Sequence, residues 1–191
     1  MRKTMERSFL GLAIIAVAIL VPYFIFKMNT KSYSPEETVT FQKGNLELEV
    51  FYNRPYKKDR EIFGKLVPYN EVWRTGANEA TTFYTNKDIL VDGSLLAAGK
   101  YTLWTIPMEE SWKVIFNSEM YPWGITSDKI PSRIAQYDVL TIEVPVKKLE
   151  EVIEQFTIDF SEEHELIIMN LYWDQTLIKV PLKQATDPSA S

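Results

Sequence analysis

The chain has 191 residues, 46% of them hydrophobic and 13% aromatic, which is enough apolar material for one folded domain and excludes the polar, aromatic-poor makeup of a disordered polymer. It has no cysteine, so a disulfide framework, thiolate metal ligation, a cysteine nucleophile and a lipid carried on an N-terminal cysteine are excluded. The formal charge of −5 hides an asymmetry: residues 1–32 hold five basic side chains (Arg2, Lys3, Arg7, Lys27, Lys31) against Glu6, which leaves −9 on the rest. Phosphate backbones repel a domain of that sign, which argues against nucleic acid as a general partner.

Residues 1–8 are a short basic N-terminus. From Phe9 to Phe26 the chain reads FLGLAIIAVAILVPYFIF, eighteen residues without a charge. As a helix this run is about 27 Å long, near the thickness of a bilayer's hydrocarbon core. Pro22 is tolerated near the end of a membrane helix, and Tyr23 and Lys27 suit the interface, where aromatic rings and snorkelling ammonium groups gather. A cleavable signal peptide would end in a small-x-small site, whereas this run ends in Phe24-Ile25-Phe26-Lys27-Met28-Asn29. The segment therefore predicts a permanent single-pass anchor. Arg2, Lys3, Arg7 and the α-amino group precede it, so the positive-inside rule leaves residues 1–8 cytoplasmic and sends the domain outward, to the periplasm or the cell exterior.

Residues 27–37 are mostly polar, contain Pro35 and predict a tether, with the domain over 38–182 and a flexible C-terminal tail over 183–191. Leu46-Glu47-Leu48-Glu49-Val50 alternates with period two, as a strand with one buried face does. Strands are also predicted over 39–42, 81–85, 100–106, 112–117, 139–144, 156–160, 165–172 and 176–180. Asp92-Gly93 between Ile89-Leu90-Val91 and Ser94-Leu95-Leu96 signals a tight hairpin. Only Lys147–Gln155 offers a helical stripe, through Leu149, Val152 and Ile153, and it also reads as the run-in to a strand. The fold class that follows is an all-β antiparallel sandwich or jelly-roll-like domain behind one transmembrane helix.

The most distinctive stretch is Leu66 to Phe83, LVPYNEVWRTGANEATTF. Together with Arg54-Pro55, Ile62-Phe63-Gly64, the run Ala97–Pro107 (AAGKYTLWTIP) and Trp112–Asn117 (WKVIFN), it closely resembles domain-of-unknown-function family 2911 over approximately residues 38–182. That resemblance implies a β-sandwich-like domain in an exported bacterial envelope protein. It implies no reaction and no catalytic residues.

Within this stretch Trp73, Arg74, Asn78 and Glu79 form the candidate ligand-binding group, since a guanidinium recognises carboxylates or phosphates and Asn and Glu orient sugars or peptide groups. The competing structural reading has Arg74 pair with Glu79 or cap loop carbonyls, gives Asn78 a left-handed turn conformation and uses Trp73 as a core plug. Trp123, in Tyr121-Pro122-Trp123-Gly124, is the best loop candidate for an aromatic platform, although strand aromatics more often pack in a core. The basic run Arg54, Lys57, Lys58 and Arg60 reads as a solvated loop. His164, the single histidine, sits among Glu162, Glu163 and Glu165 at a strand junction and reads as a turn residue. No EF-hand, GxGxxG, phosphate-loop or HExxH pattern occurs, so no metal or cofactor is expected. The expected function is a non-catalytic module at the membrane that engages an envelope partner or glycan or serves as an accessory subunit. The alternative is a carboxylate-based hydrolase using Glu79 with Arg74.

Overall fold

A computed structural model describes residues 2–185, with side chains from residue 14 onward. One long helix, α1 (Arg2–Tyr33), leads into a domain of nine antiparallel strands. Side chains from Ile14 to Phe26 are exposed, and the window Ile14–Tyr33 is long and apolar enough to cross a membrane, a criterion that signal sequences also meet. Residues 27–33, expected as tether, continue the helix. No breaker interrupts them, and the Lys31 charge suits the negative end of the helix dipole. Pro35 then disfavours helical geometry at Ser34, which ends α1.

The strands are β1 (Glu36–Lys43), β2 (Leu46–Asn53), β3 (Thr82–Thr85), β4 (Ile89–Val91), β5 (Ser94–Leu96), β6 (Gly99–Pro107), β7 (Ser111–Asn117), β8 (Asp138–Glu163) and β9 (Leu166–Gln184). Their hydrogen-bonded order is β1-β2-β3-β6-β7-β8-β9-β4-β5. The path doubles over at β8: Asp138–Pro145 pairs with β7, and Val146–Glu163 pairs with β9 in the second layer. The alternation read from Leu46 to Val50 holds, with Leu46, Leu48 and Val50 buried. Asp92 and Gly93 both take positive φ, 48° and 79°, as a two-residue hairpin turn between β4 and β5 requires.

The helical stripe over Lys147–Gln155 forms instead the bend of β8. Lys148 faces Thr176, Ile153 faces Asp174 and Thr157 faces Tyr172, so β8 spends more residues than β9 over the same span and bulges as it changes layers. Strand pairing with β9 outweighs the local periodicity there. His164 lies in the β8–β9 turn with φ 58° and is exposed. The last strand runs through Gln184, so the expected tail keeps only residues beyond it, and residues 186–191 lie outside the described residues.

The core lies between the two layers. Tyr52 reaches across it, its hydroxyl accepting from the Ile158 amide at 2.9 Å, with the rings of Tyr52 and Phe156 edge-to-face at 5.7 Å. Trp104, Trp112 and Trp173 are almost wholly buried, so three of the five tryptophans pack the interior rather than a surface platform.

Candidate functional site

From Leu66 to Thr81 the chain crosses one end of the sandwich without regular structure and is held there by specific contacts. Trp73 exchanges backbone hydrogen bonds with Thr105 of β6 at 2.7 and 3.0 Å, and its indole N–H donates to the Gly76 carbonyl at 3.0 Å. The Trp73 ring lies 6.1 Å from the Trp173 ring at an interplanar angle of 16° and 5.0 Å from Phe156, which closes this end of the core. Below it the Thr75 hydroxyl meets the Thr105 hydroxyl at 3.1 Å, and the Thr81 hydroxyl donates to the Thr75 carbonyl at 2.7 Å.

Positive φ at Thr75 (55°), Gly76 (151°) and Asn78 (56°) turns the loop sharply between Arg74 and Glu79. At Gly76 a Cβ would also stand 2.8 Å from the Asn53 carbonyl oxygen, so only glycine fits. The outcome is that Arg74 and Glu79 do not pair. Each is delivered to a different place.

Glu79 meets the last turns of α1. Its carboxylate lies 2.8 Å from Lys31 Nζ and 3.3 Å from Lys27 Nζ, and it accepts from Asn53 Nδ2 at 3.2 Å. Asn78 Nδ2 donates to Asn53 Oδ1 at 3.2 Å and to the Ser34 and Thr30 carbonyls at 3.5 Å, which ties the end of the helix to the same cluster. Burial pushes the Glu79 carboxyl up, but the Lys31 hydrogen bond and the charges of Lys31 and Lys27 outweigh it and hold the group below the usual glutamate range.

Arg74 enters a cavity of about 510 Å³. Trp73 and Trp173 lie along one side of it, Tyr33 and Ser34 along the helix end, and Ile125 on the loop between β7 and β8 along another. Among the described residues four cations line it, Lys58, Arg60, Arg74 and Lys129, and no carboxylate does. None of the four forms an ion pair among the described residues, although Lys27, Lys31, Lys43, Arg54, Lys57, Arg133, Lys179 and Lys183 all do. The Arg74 Nε is buried without a hydrogen-bond partner, and burial lowers the affinity of its guanidinium for the proton. Gly124 sits against the Arg74 stem so closely that a Cβ there would come within 2.2 Å of Cδ, and its amide donates to the Asn78 carbonyl at 3.0 Å. Lys58 Nζ stands 5.1 Å from the centre of the Tyr33 ring.

The sequence-derived group thus divides. Trp73 and Arg74 belong to the cavity; Glu79 belongs to the helix contact; Asn78 touches both. Trp123, expected as an exposed aromatic, is half-buried with its ring centre 6.2 Å from that of Phe26 on α1. Lys58 and Arg60, expected in a solvated loop, are exposed and also rim the cavity, and Lys129, which no sequence pattern marks, joins them there. The basic run 54–60 was visible, but its members separate in space. Arg54 pairs with Glu37 and Lys57 with Asp174, while Lys58 and Arg60 turn to the cavity.

Fold and site together define a β-sandwich domain with one apolar N-terminal helix seated on an irregular motif loop beside a cationic cavity. The family model for proteins of unknown function DUF2911 matches residues 34–182, and the chain belongs to that family. The match begins where α1 ends, so Lys27 and Lys31, the helix partners of Glu79, lie outside it. No curated protein and no solved structure matches the chain.

Proposed function

We propose that this protein is a membrane-anchored, outward-facing, non-catalytic module that binds an anionic group borne by a component of the cell envelope. The observation that carries this reading is the cavity with four cations and no carboxylate, in a domain whose overall charge is negative. A desolvated guanidinium with no counter-charge is poised for a carboxylate or phosphate, and a volume of about 510 Å³ falls within the range of small-ligand sites. Anchoring through residues 9–26 rests on the uncharged run and the absence of a cleavage site, and the outward orientation on the excess of positive charge before it.

This reading is preferred over a carboxylate-based hydrolase because Glu79 is engaged by Lys27, Lys31 and Asn53, and the cavity beside Arg74 holds no acid to act as general base. A neutral glycan platform is less well supported, since Trp104, Trp112 and Trp173 are in the core and Trp123 packs on Phe26. The test is thermal unfolding of the purified full chain in detergent with inorganic phosphate and with citrate. Saturable stabilisation that disappears in Arg74→Met supports the reading; no stabilisation, or the same stabilisation in the variant, overturns it.

A further inference from the structure

We infer that the anionic group taken by the cavity is the phosphate of a lipid headgroup, supplied by the bilayer that α1 crosses. This rests on the reading of the cavity as an anion site and of α1 as an anchor, and it adds where the ligand comes from.

Position carries the inference. The uncharged run ends at Phe26 and the helix ends at Tyr33, which lines the cavity together with Ser34. Seven residues of helix separate these points, a rise of about 10 Å, while the headgroup layer is roughly 5–8 Å deep on each side of the hydrocarbon. The cavity wall at Tyr33 therefore stands at or just above headgroup depth. The loop between β7 and β8 returns along the helix toward the bilayer: Trp123 lies against Phe26, the last residue of the apolar run, and Ile125 and Lys129 of the same loop line the cavity.

The loop's composition agrees with that depth. Met120 (42%), Ile130 (60%), Ile134 (48%) and Tyr137 (37%) are exposed, an accumulation of apolar side chains in one loop that is costly in water and natural at a membrane surface. Trp123 and Tyr33 are residue types that settle at the interface.

Charge selects among lipids. Four unpaired cations favour an anionic phosphodiester such as phosphatidylglycerol and disfavour phosphatidylcholine, whose quaternary ammonium adds a fifth positive charge near the site. The cavity holds a headgroup and leaves the acyl chains in the bilayer, with Arg74 binding phosphate oxygens from the buried end and Lys58 and Lys129 from the exposed rim.

The experiment is native mass spectrometry of the full chain released from nanodiscs of three parts phosphatidylcholine to one part phosphatidylglycerol. The expected result is one retained phosphatidylglycerol, reduced about tenfold or more in Arg74→Met. The pair Lys58→Gln/Lys129→Gln, both at exposed positions, should reduce it as well and stands in if Arg74→Met does not fold. Equal retention of the two lipids, or retention indifferent to these substitutions, overturns the inference. A parallel arm offers inorganic phosphate and glycerol 3-phosphate in detergent without lipid. If these bind in an Arg74-dependent manner while no phosphatidylglycerol is retained, the anion site stands and the lipid assignment falls; if neither soluble anion nor lipid binds, both fall.

Discussion

Replacing Glu79 by Gln tests whether the motif loop holds the helix. The carboxylate is 15% exposed and faces Lys31 (21%) at 2.8 Å and Lys27 (39%) at 3.3 Å. At an effective dielectric constant near 20 each attraction amounts to about 5–6 kcal/mol before solvation. Most of this is offset, because both lysines regain water when released, and measured net values are about 1.5–3 kcal/mol for a hydrogen bond to a charged group and below about 1 for an exposed pair. Gln keeps the bond from Asn53 and a carbonyl for Lys31, so the expected loss is about 1–2 kcal/mol, a factor of roughly 5–30 in the ratio of docked to undocked helix. The absence of cysteine makes the measurement direct. Spin labels on Met28→Cys and Leu95→Cys, 73% and 63% exposed in the parent, report the helix-to-domain distance by pulsed electron paramagnetic resonance. The parent should give one narrow distribution, and Glu79→Gln should broaden it and add longer distances. An unchanged narrow distribution in Glu79→Gln would refute the assignment of Glu79 as the lock.

The same contact should depend on pH. Because the folded carboxyl titrates below the usual glutamate range, its stabilisation is fully present above the unfolded value, near 4.3, and is lost as pH falls through the lower folded value. The label distances should therefore hold at neutral pH and broaden below about pH 4, and a transition near pH 6–7 would contradict the assignment. Gly124→Ala should cost about 1–3 kcal/mol in urea unfolding because the new Cβ overlaps the Arg74 stem, and Arg74→Ala should relieve part of that cost, so that additive losses would show the contact to be unimportant. Trp173→Ala removes a side chain 1% exposed from the cluster of Trp73, Phe63 and Phe156 and should cost about 3–5 kcal/mol, lowering the melting temperature by roughly 6–20 °C.

What could be read before folding was local in origin. An uncharged run shows itself wherever it lies, the Leu46–Val50 alternation marks a half-buried strand because side chains alternate faces, and Asp92-Gly93 marks a hairpin because its backbone accepts positive φ. Of the structural reading of the motif loop, the left-handed Asn78 and the core packing of Trp73 hold, while a pair between Arg74 and Glu79 does not form. Where long-range pairing decided the outcome, local pattern misled. The stripe through Leu149, Val152 and Ile153 has a helical period, yet pairing with β9 draws it into a bent strand.

The sequence by itself determined the apolar helix, the short alternating strands with their tight turns and the motif loop that matters most, since each depends on neighbours a few residues apart or on a recognisable run. Only the tertiary structure decided how that loop is used. Arg74 and Glu79 are five positions apart, but turns at Thr75, Gly76 and Asn78 send one to a cation-lined cavity and the other to the lysines of α1. Lys58 and Arg60, earlier in the same β2–β3 connection, and Lys129, from the loop between β7 and β8, join Arg74 in a convergence fixed by the packing of the layers and the seating of the helix.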